Sequence, residues 1–152
     1  MRMEMLPHRR RLYHSVPRWV ETNPVFFVTF CTLPRRLNQL CLSDVGPSLL
    51  ESAAFYHQAQ RWWVKTFLLM PDHVHALVAV PKEESLATTI RLWKSYQTKR
   101  HDIIWQEGFF EHRLRSTESE GEKIEYIRRN PVRAGLVAKS EDWPYVWPRS
   151  NV

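Results

Sequence analysis

Two β-prone runs, Trp62 to Met70 and His73 to Val80, are separated only by Pro71-Asp72, and this stretch constrains the fold more than any other. Both runs are rich in β-branched and apolar residues, and so short a link returns the chain directly, so the pair is predicted to form an antiparallel hairpin. Side chains alternate along a strand, so His73 and His75 point the same way. Metal ions use two imidazoles in that arrangement, because one ring nitrogen donates a lone pair while a partner holds the other. An isolated His-x-His is nevertheless more often a satisfied sheet residue beside a rim residue. The spacing alone makes the pair a candidate.

At 152 residues and 43% hydrophobic, the chain is long enough for one core and too short for two, so a single domain over 1–152 is expected. Lys and Arg number 22 against 16 acidic residues, an excess that points to a polyanionic partner. Seven Trp, seven Phe and five Tyr exceed what a minimal core needs, and aromatics beside basic groups hold unstacked bases, which favours single strands over duplex. Cys31 and Cys41 lack Cys-x-x-Cys spacing, so neither a zinc ribbon nor a disulfide framework is predicted, and a reducing, cytoplasmic setting fits. Met1 to His14 has no apolar segment of signal type and no run reaches membrane-spanning length, so a soluble chain with no membrane partner is expected.

Residues 1–24 hold Pro7, Pro17 and Pro24 with Arg9, Arg10 and Arg11, and read as an irregular basic arm whose arginines would contact phosphates. Val25 to Thr32 is a dense β-forming run and the first strand. Ser43 and Asp44 offer an N-cap and Pro47 suits a first turn, predicting a helix to about Gln60. Ser85 caps a second helix with Leu86, Ile90, Trp93 and Gln97 on one stripe; Arg91, Lys94, Lys99 and Arg100 lie elsewhere, as a candidate floor for a phosphate backbone. Ile103 to Leu114 reads as a fourth strand, bulged or broken at Gly108. The order β-α-β-β-α-β over 25–114 is the split βαβ plan of ferredoxin-like α+β folds, one antiparallel sheet with two helices on one face.

A further helix is predicted within 115–131. Thr117-x-x-Glu120 and Ser119-x-x-Glu122 both have capping-box form, and Asn130-Pro131 is expected to end the segment. Tyr126 and Asn130 are four apart and project from nearly the same face. The remaining tail, 132–152, reads as an extended cover packed by Trp143 and Tyr145, without a chemical role.

Met70-Pro71-Asp72-His73-Val74-His75, Trp105-Gln106-Glu107-Gly108-Phe109-Phe110-Glu111-His112 and Tyr126-Ile127-Arg128-Arg129-Asn130-Pro131-Val132-Arg133-Ala134-Gly135-Leu136, in this order, resemble the REP-associated tyrosine transposases. These are relatives of the IS200/IS605 transposases within the HUH superfamily. The resemblance implies His73, His75 and Asn130 as metal ligands and Tyr126 as nucleophile. It also implies single-stranded DNA with palindromic hairpins as substrate, and a monomer or a helix-swapped homodimer. The chain departs from the family pattern at Trp19-Val20-Glu21-Thr22-Asn23-Pro24, where a glycine-threonine-aromatic signature is usual.

The chemistry agrees with these assignments. A phenol titrates near pH ~10, so it attacks a phosphate only when that phosphate is made more electrophilic. Two imidazoles and one amide oxygen leave positions open and suit Mg²⁺ or Mn²⁺. The expected activity is nicking and strand transfer through a 5′-phosphotyrosine, with His112 and Arg115 as further phosphate contacts. Tyr96 is the competing nucleophile, but the residue four positions on is Arg100, with no amide. The alternative is a regulatory module that binds DNA or RNA hairpins without cutting.

Overall fold

The structure, a computed structural model, describes residues 23–149. The chain runs β1 (Val25–Cys31), α1 (Gly46–Gln58), β2 (Trp63–Met70), β3 (His73–Ala79), α2 (Leu86–His101), β4 (Phe110–Arg113), α3 (Glu120–Arg128), α4 (Asn130–Arg133), a 3-10 turn (Ser140–Asp142) and β5 (Val146–Trp147). The strands form one sheet in the order β4-β1-β3-β2-β5, every neighbouring pair antiparallel. Its first four strands have the arrangement the sequence predicted. Among the described residues, no helix is long and apolar enough to cross a membrane.

Alternation gives the sheet two different faces. Phe26, Val28 and Phe30 of β1 join Val74, Ala76 and Val78 of β3 in a core that also takes Leu49, Leu50 and Ala53 of α1 and Leu86, Ile90 and Trp93 of α2. Trp93 is fully buried there against the rings of Phe30, Trp62, Phe67 and Trp105. Each such ring stabilises the fold by roughly 1.5–3 kcal/mol through burial alone. The opposite face presents Val25, Leu68, Met70, Leu77 and Ala79, covered by Ile127 of α3 together with Leu114, Trp143 and Val146. This second face carries His73 and His75.

Two expectations are corrected, the cap of the first helix and the role of the tail, and two others hold with added detail. Helix α1 starts at Gly46, and neither Ser43 nor Asp44 caps it: Val45 occupies the N-cap position without a side-chain bond. The backbone N–H groups of Val45 and Gly46 both donate to the Leu42 carbonyl, so a tight turn occupies the residues that would have capped. Gly46 is required for packing, since a Cβ there would meet the Tyr145 ring at 2.5 Å. The fourth strand, expected to be bulged or broken at Gly108, is broken there: Trp105 makes only an isolated bridge to Thr32, and pairing resumes at Phe110 after Gly108, whose φ of +81° suits glycine.

Asn130-Pro131 does end the late helix, which stops at Arg128 with Arg129 as its C-cap. After Arg129 the chain restarts as α4 with Pro131 in its first turn, where a missing N–H is tolerated. Of the two capping boxes, Ser119 is the one used, its Oγ accepting from Glu122 N at 3.1 Å. Finally, the tail does more than cover: β5 adds a fifth strand beside β2.

That strand is anchored at Leu69, whose N–H donates to Tyr145 O at 2.9 Å and whose carbonyl accepts from Trp143 Nε1 at 3.0 Å. Trp143→Ala is therefore expected to cost about 3–5 kcal/mol in urea unfolding, through lost burial and the loss of the indole donor to the Leu69 carbonyl, which keeps only the weak thiol donor of Cys41. A loss below ~1 kcal/mol would show that the tail is not part of the core.

Candidate active site

The register of β1 on β3 sets Thr29 opposite His75 and Cys31 opposite His73 on the second face. The two imidazoles meet edge to face with centroids 4.6 Å apart. Each has its Nδ1 engaged. His73 Nδ1 donates to Asp72 Oδ1 at 2.8 Å, and His75 Nδ1 lies 2.8 Å from Thr29 Oγ1. In the tautomers that donate from Nδ1, both Nε2 atoms keep their lone pairs for a ligand. Asp72 is itself held by Arg35 Nε at 3.0 Å and Arg36 N at 2.7 Å, and these bonds outweigh burial to hold its carboxyl well below the usual range. Burial, helped by His73 and Arg133, pushes His75 down to about 3, so its ring is neutral at ordinary pH. Among the described residues no three His, Cys, Asp or Glu side chains form a metal-holding group.

Tyr126 and Asn130 come to this face because α3 packs over β2 and β3, with Ile127 as its fully buried anchor. Tyr126 is 52% exposed, so its phenol is open to a substrate. Arg133 from α4 lays its guanidinium 4.3 Å from the Tyr126 ring centre and donates through Nη2 to the Tyr126 carbonyl at 2.8 Å. The same guanidinium is near enough to His75 to disfavour imidazolium. Lys123 Nζ lies 5.4 Å from the Tyr126 ring and 5.3 Å from that of Phe27, and Phe27 stacks on His75 at 5.7 Å. Tyrosine and histidines thus belong to one neighbourhood within a single chain.

Asn130 is oriented by its proline neighbour. In an uninterrupted helix the Ile127 carbonyl would accept the N–H of residue 131, but Pro131 has none. The Asn130 amide takes that place, with Nδ2 donating to Ile127 O at 3.0 Å. Nδ2 is thereby committed to the backbone and Oδ1 is left as the amide's lone-pair donor.

The other predicted residues divide by face. Arg91, Lys99 and Arg100 are exposed on α2, across the sheet from the histidines, and Tyr96 is there with them. Lys94 is not on that exposed face: it is buried, donates to Gln106 O and Gly108 O at 3.0 Å each, and is pushed down to about 8 by burial. Four positions after Ile90, it flanks the apolar stripe. His112 shares the histidine face, opposite Phe27 in register, with Nε2 3.1 Å from Glu118 Oε1. Arg115 is exposed nearby and donates its backbone N–H to Glu118 Oε1 at 2.6 Å. Arg9, Arg10 and Arg11 lie outside the described residues. Sequence reasoning missed Thr29, Asp72, Lys123 and Arg133. Asp72 and Arg133 stand inside the motifs already singled out; Thr29 and Lys123 had no such signal.

A family model described as "Transposase IS200 like" matches residues 28–130. The chain belongs to the IS200-like transposase family. The chain is 29% identical over 85 residues to a REP-associated tyrosine transposase of Escherichia coli, an alignment covering 54% of this chain and 52% of the relative. A Haemophilus influenzae protein given the same assignment provisionally is 31% identical over 94 residues, covering 51% and 53%. The chain thus spans about half the length of the curated relatives it matches. Among solved structures, a REP-associated tyrosine transposase bound to a REP hairpin superposes with a TM-score of 0.70 at 25% identity, over 81% of this chain and 75% of that one. The α+β fold derived above is the one that structure shares.

Two outcomes follow from this geometry. Since His75 is held neutral in the folded chain but protonates near 6.5 otherwise, the folded state binds fewer protons below that pH; its contribution to stability is complete above 6.5 and is lost as pH falls toward 3. The melting temperature should therefore drop between pH 6.5 and 4.5, and less steeply in His75→Gln; parallel profiles would contradict a buried neutral ring. Pro131→Ala supplies the missing N–H, so the Asn130 side-chain amide should exchange with solvent several-fold faster by NMR, while unchanged exchange would refute the lock.

Proposed function

We propose that this chain is a metal-dependent nickase and strand transferase for single-stranded DNA carrying REP-type palindromic hairpins, working through a 5′-phosphotyrosine on Tyr126. The observation that supports it best is Arg133, which stacks on Tyr126 and reaches the electrostatic neighbourhood of His75, tying nucleophile and ligand pair together in one chain. His73, His75 and Asn130 would hold the cation through two Nε2 atoms and one amide Oδ1. This mixed donor set suits Mg²⁺ or Mn²⁺ better than a closed zinc site. The bound cation supplies Lewis acidity to the phosphate oxygens.

The chain's own groups account for the rest. Asp72 and Thr29 fix the tautomers and the ring orientations. Arg133 and Lys123 place two positive charges beside Tyr126, where a phosphate approaching the phenol gains charge-assisted contacts. Tyr126 Oη attacks phosphorus as its proton leaves to solvent. The bond from phosphorus to the 3′ oxygen breaks, and that oxygen leaves as a hydroxyl after taking up a proton. The phosphotyrosine conserves the bond for rejoining, so strand transfer needs no nucleoside triphosphate. We read the reaction as proceeding within one chain, as a single domain of this type, in the cytoplasm where chromosomal DNA is exposed.

Incubation with hairpin oligonucleotides and Mn²⁺ should give a covalent protein-DNA adduct on denaturing gels. Tyr126→Phe should reduce it at least ~10³-fold, the scale of losing a covalent nucleophile, and chelation should abolish it. An undiminished adduct from Tyr126→Phe would overturn the assignment; hairpin binding with no adduct under any divalent ion would favour a non-cleaving regulator.

A further inference from the structure

The break in the fourth strand creates a cleft beside the histidines. β4 pairs with β1 only as far as Thr29 opposite Phe110. The chain meets β1 again where Gln106 N donates to Cys31 O at 2.8 Å and Trp105 bridges Thr32. Between these points it turns through Gly108, leaving a cleft of about 160 Å³ lined by Thr29, Cys31, Gln106, Glu107, Phe109 and Phe110 among others. Its wall is shared with the active site, since Thr29 Oγ1 touches His75 and Cys31 lies opposite His73. Its backbone is braced from behind by Lys94, which ties the Gln106 and Gly108 carbonyls together.

Phe110 at the rim is 42% exposed on an edge strand, where exposed apolar surface invites wrong pairing. It belongs to a row of rings, edge-on to Phe27 at 6.2 Å, with Phe27 stacked on His75. Unpaired bases stack on aromatic faces of this kind. The size fits: an apolar cavity of roughly 150 Å³ holds one benzene ring, so this cleft has room for one base. Gln106 and Glu107 are exposed at its mouth. The carboxylate disfavours a phosphate there and accepts from base amino groups.

We infer that this cleft holds a single unpaired nucleobase, stacked on Phe110, next to the phosphate that lies at the histidine pair. The inference rests on the transposase reading for the position of that phosphate. It makes Phe110 a specificity residue that sets which phosphate is cut.

The test is an affinity scan in the Tyr126→Phe background, which keeps the strand intact, using hairpin oligonucleotides with one abasic site at each unpaired position in turn. One position should cost roughly ten-fold or more in affinity. Phe110→Ala should cost the same on the intact strand and add nothing to that one abasic oligonucleotide, and Phe110→Trp should restore binding. Additive losses at every position, or full affinity in Phe110→Ala, would overturn the cleft assignment even where wild-type protein forms its Tyr126 adduct. Coupling at one position without any adduct from wild type would sustain the base site while removing the nicking reading.

Discussion

The register of β3 between β1 and β2 is the constraint on which the site depends. In this register Val74, Ala76 and Val78 enter the core under α1 and α2, while His73 and His75 face the opposite side. A slip of one residue would bury both imidazoles among aromatic rings and expose three apolar side chains. The cost of burying two unpaired polar rings and losing that apolar contact makes the slip prohibitive. The bond between Thr29 and His75 then ties the register to the chemistry, because the strand that pairs with the histidine strand also orients its ring.

The sheet consequently works as a divider. Its helix-covered face is spent on stability, with Trp93 at the centre, and the basic residues of α2 ride on the outside of that layer. Tyr96 is thereby separated from the histidines by the full thickness of the sheet. The other face is covered over part of its area by α3, Val137 and Trp143, and Tyr126, Asn130 and the two histidines gather there. Local chain economy shapes this side. Pro131 interrupts the helical ladder, the vacancy at Ile127 O is filled by Asn130, and the restarted helix swings Arg133 back over Tyr126. A single break in the backbone thus orients the Asn130 amide and positions the Arg133 guanidinium beside the phenol.

Much of this was legible beforehand, for identifiable reasons. The hairpin about Pro71-Asp72 and the 2-residue period of His73 and His75 are local signals, and local signals survive folding. The β-α-β-β-α-β order gave the strand arrangement of the first four strands because few connections satisfy it. What was illegible depends on contacts between distant segments. Nothing near Ser43 announces that Gly46 must approach Tyr145, and that packing, with the turn at Leu42, displaced the expected cap. The strand at Val146–Trp147 is too short to have its own periodicity, and is fixed by bonds to Leu69. Lys94 is buried despite its charge, because its spacing from Ile90 puts it at the edge of the buried stripe.

The central claim is that one chain supplies both the nucleophile and the whole ligand set. A crystal grown with Mn²⁺ and measured at the manganese absorption edge tests it most directly. The account predicts one anomalous peak in contact with Nε2 of His73 and His75 and with Oδ1 of Asn130, and Tyr126 of the same chain facing it. A peak whose third protein ligand comes from a partner copy, or no peak at the two imidazoles, would contradict it.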